Sequence, residues 1–373
     1  MNEQHSVDGQ RRQAVDGPVL IVGTGLIGTS VALSLRRAGV EVVLDDTNVS
    51  ALQEAVYRGA GSALADQQPA LVVVAVPPDA AAQILAETSQ RFTDATITDT
   101  TSVKGHILDQ AIVLGADPHR LVGGHPMAGR EVSGPAAARA DLLDDRLWII
   151  TPSGHEGEDH VARVRRLVDT CGATVTEMDA AEHDAAVALV SHAPQMLAST
   201  LASVLVDEPA ERLAIAGQGM ADTTRIAASN ADLWVQILRA NAGPVSGVLQ
   251  QVIGRLQVAA DTLAAGTSAA GTELDLAPVA AILEQGREGQ SRLPGKHGTI
   301  GMRYAVVPVM VEDKPGELAR LFVAAGDLDI NLEDVRIEHV LGRPSGLVDL
   351  FVRADSQAAL IEGLEQAGFD VRA

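Results

Sequence analysis

The stretch VLIVGTGLIGTS, residues 19–30, decides the fold. VLIV is an aliphatic run of strand length. The segment SVALSLRRAG that comes next carries its apolar residues at helical spacing and stops at Gly39. Gly23, Gly25 and Gly28 therefore sit where a strand turns into a helix. Glycines there let a pyrophosphate approach the turn, and the helix N-terminus offers free N–H groups and the positive end of its dipole. Without a ligand the same pattern reads as a tight strand-to-helix turn. The turn residues Gly23, Gly25, Leu26, Ile27 and Gly28 are the expected cofactor contacts.

EVVLDD is the next strand, and Asp45 and Asp46 close it 20 and 21 residues after Gly25. A carboxylate at that distance accepts hydrogen bonds from an adenosine ribose and repels a 2′-phosphate. Residues Thr47 to Ser50 bring no cation to hold such a phosphate, so NAD is expected rather than NADP, with Asp46 as the ribose ligand. Solvated strand-end aspartates are the plainer alternative.

LVVVAVPP, residues 71–78, reads as a central strand buried on both faces. TITDTTSVKG, residues 96–105, is another strand whose carboxyl end leads to Ser102 and Lys104, on the edge where open α/β sheets bind ligands. A helix N-cap and a surface lysine are the alternatives for these two. LVGGHPMAGRE, residues 121–131, reads as a small-residue loop that aims His125, held between Gly124 and Pro126, as a general base. An incidental loop histidine is the competing reading. RLWIITP (146–152) and TVTEMD (174–179) extend the sheet, and the Rossmann-like part runs from residue 18 to 178. Residues 1–17 are polar, aperiodic and read as a mobile tail.

From residue 179 to 285 an Ala-rich helical pattern takes over. It carries His183, Ser191, His192 and Gln195; at about 100° per residue Ser191 and Gln195 share a face while His183 and His192 fall on opposite sides of a straight helix. Pro194 should kink it. Arg225 could grip a substrate carboxylate bidentately, with Asp222 to orient it and Trp234 as an apolar wall, or could be a helix-surface ion pair. Residues 286–301, within the Gly-rich, mixed-charge stretch EQGREGQ to GTIG, read as a linker. Residues 302–373 alternate strand, helix, strand, strand, helix, strand, a split βαβ domain with a ferredoxin-like arrangement. Pro308 is irregular inside its first strand. The loop from Asp313 to Gly316 would offer N–H groups to an amino-acid carboxylate, or is a plain turn.

A chain with 28 Lys plus Arg against 49 Asp plus Glu, at net charge −21, is a poor partner for nucleic acid or an anionic membrane. Aromatics at 2% leave the cores to Ala, Val, Leu and Ile, which suits helices and buried parallel strands. One cysteine, Cys171, allows no internal disulfide, and no signal peptide or membrane-length apolar run is apparent, so a reducing cytoplasm is expected. Cys171 reads as a packed thiol. No metal ion is expected.

In combination the motifs GTGLIGTS, DTTSVKG (99–105), GGHPMAG (123–129), HDAAVALVSHAPQ (183–195) and ADTTRIAASNADLW (221–234) resemble the prephenate/arogenate dehydrogenase family. The resemblance implies an NAD-dependent oxidative decarboxylation in tyrosine biosynthesis. It implies that His125 contacts the ring hydroxyl of the substrate and that Arg225 binds a substrate carboxylate. Ser102 would contact the same hydroxyl or the nicotinamide region, and Ser191, Gln195 and His183 would approach the side chain. Many members carry a histidine where this chain has Gln195, which bears on prephenate against arogenate and on inhibition by tyrosine. The helical domain is expected to form a homodimer. The last domain resembles an ACT module, which implies an amino-acid effector near Asp313, Pro315, Gly316 and Asn331. Two other readings stand beside this one. A β-hydroxy-acid dehydrogenase would call for a catalytic lysine between residues 180 and 250, where there is none. A non-catalytic amino-acid sensor would keep a degenerate nucleotide domain.

Overall fold

The computed structural model describes residues 14–129, 132–268, 274–293, 304–339 and 345–372. The chain divides after Val252 into two compact units. In the first, strands and helices alternate: β1 (Val19–Val22), α1 (Leu26–Arg37), β2 (Val42–Asp45), α2 (Val49–Tyr57), β3 (Ser62–Ala63), β4 (Leu71–Val74), α3 (Pro78–Arg91), β5 (Thr96–Asp99), α4 (Gly105–Val113), β6 (Leu121–Pro126), β7 (Leu147–Thr151), α5 (Glu158–Thr170) and β8 (Thr174–Glu177). The sheet order is β3-β2-β1-β4-β5-β6-β7-β8. All its ladders are parallel except β6 with β7. β1 and β4 are buried along their whole length, as aliphatic strands covered by helices on both faces must be. Strand order reverses between β1 and β4, and the carboxyl edge there is the crevice where this architecture takes ligands.

Two expectations change here. The tail is shorter than 17 residues: Val15 is buried and its N–H donates to Thr170 Oγ1 at 3.0 Å, while residues 1–13 lie outside the described residues. His125 lies on a strand, not in a loop, because β6 includes LVGGHP. Glycine's low strand propensity hid it, yet glycine is what the position demands. A Cβ on Gly123 would meet Thr151 Oγ1 at 2.3 Å, and one on Gly124 would meet the carbonyl oxygen of Asp99 at 2.6 Å.

The chain continues through α6 (Ala180–Val187), a π-helical turn (Ala188–His192), α7 (Ala193–Ser203), α8 (Ala210–Leu213), α9 (Gln218–Thr224), a 3₁₀ turn (Arg225–Ala228), α10 (Ala231–Ala240) and α11 (Ala242–Ser268). Contrary to the sequence reading, Ala180–Ser203 is long and apolar enough to cross a membrane by length and composition. One face of it packs into the protein: His183, Asp184, His192 and Gln195 along it are buried and Asp184 bonds to α4. The π turn also overturns the straight-helix placement of His183 and His192. Each i→i+5 turn absorbs one extra residue and sets back the later residues of the helix by about 100°. Pro194, which has no N–H to give the preceding turn, comes directly after.

In the second unit, α12 (Ala277–Ser291) runs through the first part of the expected linker. Its EQGREGQ segment stays helical because an isolated glycine costs only about 1 kcal/mol there. The linker from residue 294 on lies outside the described residues. β9 (Tyr304–Glu312), α13 (Glu317–Asp327), β10 (Asp334–His339), β11 (Ser345–Arg353), α14 (Gln357–Gln366) and β12 (Asp370–Val371) form an antiparallel sheet ordered β10-β11-β9-β12. That is the split βαβ topology. Pro308 stays within β9, and its carbonyl accepts from Arg372 N at 2.7 Å.

Gly124→Ala is expected to cost about 1–3 kcal/mol of stability by overpacking the β5–β6 contact. Chemical denaturation checks it, and wild-type stability would contradict this packing.

Candidate active site

The cofactor turn separates its three glycines by role. Gly23 has φ +98°, and a Cβ there would meet the Ala75 carbonyl oxygen at 2.4 Å; a Cβ on Gly28 would meet the Gly23 oxygen at 1.9 Å. Packing alone requires both. Around Gly25 nothing lies within 4 Å of where a Cβ would stand, so the space above it is open. Gly25 is also the N-cap of α1, and no side chain caps that helix. The half-exposed Leu26 and Ile27 thus begin a helix whose N-terminal N–H groups face a gap. Asp46 closes the turn from β2. Its Oδ2 accepts from Thr24 N at 2.6 Å and Thr24 Oγ1 at 2.7 Å, and its Oδ1 accepts from Asn48 N at 2.7 Å. Of the two aspartates, Asp46 is therefore the one turned onto the glycine loop. An open, uncapped helix end beside a half-buried carboxylate fits the pyrophosphate and ribose of NAD.

Further along the same carboxyl edge, β6 ends at His125, which is half-buried. Its Nδ1 lies 2.8 Å from Nε2 of His183, with the ring planes 77° apart. His183 is completely buried, and its Nδ1 lies 2.8 Å from Oδ1 of Asp184. Both ring nitrogens of His183 are thus taken by protein, and the expected contact between His183 and substrate is corrected: it stands behind His125. Asp184 in turn accepts from the main-chain N–H groups of Lys104 and Gly105, each at 2.8 Å. It caps α4 from another helix, which also answers for Ser102: the α4 N-cap is Lys104, with no side-chain cap of its own. Ser102 sits half-buried in the loop after β5.

Lys104 is not on the surface. It is fully buried and paired with Asp99, and it donates to Thr101 Oγ1 at 3.0 Å and to the Gly124 carbonyl at 2.6 Å. Asp99 Oδ1 accepts from Gly124 N at 3.0 Å. Burial pushes the Lys104 ammonium below its ordinary value, against the pull of Asp99. Burial also drives His125 well below its ordinary 6.5, and the nearby charge of Lys104 adds to it. For Asp184, burial works upward, but the hydrogen bonds from His183 and the two α4 amides outweigh it and hold the carboxyl below its usual range.

His192 is buried, brought down to about 4 chiefly by burial, 3.0 Å from Asn241 Nδ2 and edge-on to Trp234. Trp234 therefore walls His192. Ser191 is half-buried in the π turn, and buried Gln195 donates from Nε2 to Ser199 Oγ at 3.2 Å. Arg225 is exposed where its 3₁₀ turn begins, and that turn packs against α7; Asp222 accepts from Gln218 Nε2 at 2.8 Å. A cavity of about 460 Å³ lies just past His125, lined by Met127, Ala128, Gly129, Arg139, Leu142 and Arg146 among others, but not by His125 or the glycine turn. The site is therefore defined by its chemistry rather than by this cavity. Cys171 is buried and its thiol is pushed up to about 12, an inert packed group. In the second unit, Gly316 takes φ +95° at the N-cap of α13, Asp313 and Pro315 are exposed beside it, and Asn331 Nδ2 donates to Glu333 Oε1 at 3.0 Å. Asp184 and Asp99 were missed from sequence. The adjacency of His183 and Asp184 was the available signal for the first, and an aspartate ending a buried strand the signal for the second.

A glycine turn at a strand-to-helix junction, an imidazole on the same sheet edge and a helix, α6, that meets both this imidazole and α4 fit an NAD-dependent dehydrogenase. Sequence profiles sharpen this: the nucleotide-binding domain of prephenate dehydrogenase matches residues 31–177 and its dimerization domain matches residues 179–271. A probable prephenate dehydrogenase of Streptomyces niveus, NovF, is 34% identical over 93% of this chain and 97% of its own. The crystal structure of the Aquifex aeolicus prephenate dehydrogenase with hydroxyphenyl propionate and NAD⁺ is similar at TM-score 0.64 and 27% identity, covering 73% of this chain and 96% of that one. Synechocystis arogenate dehydrogenase is similar at TM-score 0.60 and 25% identity, covering 73% and 98%. The chain belongs to the prephenate dehydrogenase family and is an NAD-dependent oxidoreductase.

Two outcomes are expected. Gly25→Ala should weaken NAD⁺ binding with little change in thermal stability, whereas Gly28→Ala should lose stability as well; equal stability losses would contradict the separation of roles. A base works unprotonated, and His125's pKa in the fold is depressed, so activity falls only as pH drops through that lower value. The rate at about pH 6 should stay close to that at about pH 7.5. An acid limb centred near the ordinary 6.5 would contradict the depression.

Proposed function

We propose that this chain converts prephenate to 4-hydroxyphenylpyruvate and carbon dioxide, with His125 as the base. The observation that carries the reading is a neutral imidazole, anchored through Nδ1, at the carboxyl edge that also holds the open glycine turn. NAD⁺, when bound at that turn, supplies the hydride acceptor. His125 takes the proton of the ring hydroxyl as the C–H bond on the same carbon gives up its hydride and the C–O bond becomes a carbonyl. The bond to the ring carboxylate then breaks, carbon dioxide leaves, and its electron pair aromatises the ring. The phenolate oxygen recovers the proton from His125. Aromatisation supplies the driving force, so the protein chiefly aligns the reactants and meets the developing carbonyl. Ser102, half-buried after β5, is assigned a hydrogen bond to that oxygen or to the nicotinamide end. Arg225 supplies the cation for a substrate carboxylate, and Ser191 and Gln195 face the side chain.

Gln195 keeps arogenate as a second reading. An uncharged amide can donate to a keto oxygen or accept from an ammonium, so charge at this position rejects neither substrate. The exposed apolar side chains of the helical segment, among them Leu197, Leu201 and Val235, fit a homodimer. The split βαβ domain supports an ACT-like role, binding an amino-acid effector at the turn around Asp313, Pro315, Gly316 and Asn331. An inert buried thiol fits a cytoplasmic enzyme.

NADH formation from NAD⁺ with prephenate, and separately with arogenate, tests the reading; turnover of neither would overturn it. His125→Asn should lower kcat by about 100-fold or more while leaving NAD⁺ affinity intact. Arg225→Ala should raise substrate KM about tenfold or more, a loss of about 1.4 kcal/mol. Wild-type values in either variant would remove that residue from its role.

A further inference from the structure

The contacts behind His125 determine which of its nitrogens is free. Asp184 presents both oxygens as acceptors: Oδ1 to Lys104 N and to His183 Nδ1, Oδ2 to Gly105 N, all at 2.8 Å. A carboxylate so surrounded by N–H donors is anionic. An anionic Asp184 requires the hydrogen on His183 Nδ1. In a neutral imidazole the other nitrogen is then a bare acceptor, so His183 Nε2 must receive a hydrogen from His125. That hydrogen is on His125 Nδ1, and His125 Nε2 is left with its lone pair. The opposite arrangement would set a lone pair of His183 against the Asp184 carboxylate, or make His183 a second buried cation in the cluster that already holds the Lys104 ammonium.

We propose that His183 and Asp184 are positioning residues that set the tautomer of His125, holding Nε2 bare for the hydroxyl proton of the substrate. The inference rests on His125 being the base. It replaces the expected substrate contact of His183 with a role exerted through another ring. It also ties the tautomer to the seating of α6 on α4, because the carboxylate that orients His183 is the one that caps α4. Asn241 secures the same corner, donating from Nδ2 to the Asp184 main-chain oxygen at 2.9 Å.

The direct test is long-range ¹H–¹⁵N NMR of the full-length enzyme labelled at histidine, with NAD⁺ bound. The chain has 10 histidines, so the His125 signals are assigned by their loss in His125→Asn. The expected spectrum shows His125 protonated at Nδ1 and bare at Nε2; a wild-type His125 protonated at Nε2 overturns the proposal, whether or not any variant folds. Kinetics give a second readout. His183→Leu should lower kcat about 100-fold with substrate KM and NAD⁺ affinity within about twofold. His183→Gln, whose amide can accept from His125 and donate to Asp184, should recover at least about tenfold of that loss. A folded His183→Leu with wild-type kcat, or a folded His183→Gln as slow as His183→Leu, overturns it too. Failure of the function reading would look different: the wild type would turn over neither substrate, and its tautomer would still be read from the spectrum.

Discussion

The buried pair of Lys104 and Asp99 is the interaction on which the site depends. Taking two charges out of water costs several kcal/mol per ion, and the attraction between them offsets this only where every remaining donor and acceptor is used. Here they are. The three donors of the Lys104 ammonium meet Asp99, Thr101 Oγ1 and the Gly124 carbonyl, and Asp99 accepts from the main-chain N–H groups of Thr101 and Gly124. The reason lies in the ladder. β5 pairs with β6 only as far as Thr98 opposite Val122, and β5 ends at Asp99. Beyond that point Gly124 has no strand on this side, and the two charged side chains stand in for one. They hold both polar groups of Gly124, and so the direction in which the next residue, His125, leaves the sheet.

The same cation affects chemistry as well as geometry. Burial of the ring disfavours its charged form, and the nearby ammonium acts in the same direction, so His125 stays neutral where an exposed histidine would begin to protonate. From the other side, the His183–Asp184 pair holds the ring by Nδ1. Strand, cation and relay meet at one imidazole, while the dinucleotide turn sits at the reversal of strand order, built from glycines that packing demands and one that packing leaves open.

Much of this was legible in the sequence, and the misses have physical causes. The strand, glycine turn and helix at the start of the fold and the alternation of the last domain could be read because local pattern and tertiary packing agree there. β6 could not be read as a strand, since Gly123 and Gly124 are chosen for contacts with Thr151 and Asp99 that only the folded sheet creates. Lys104 reads as a surface residue because its partner lies five residues back, on the end of a strand. The facing of His183 and His192 depends on a π turn, which shifts the helical period without any strong signal beyond Pro194. The glycines of α12 read as linker residues, but the helix keeps them because their cost is small and local.

The most direct test of this account is kcat of the double variant Asp99→Leu, Lys104→Met, measured beside its stability to denaturant. Lys104→Met alone leaves an unpaired buried carboxylate and should lose about 3–5 kcal/mol. Replacing both charges with apolar side chains should restore most of that stability. It should not restore the reaction, because Gly124 is no longer held, and kcat should remain at least about 100-fold below wild type. A stable double variant with wild-type kcat would show that the buried pair does not position the base.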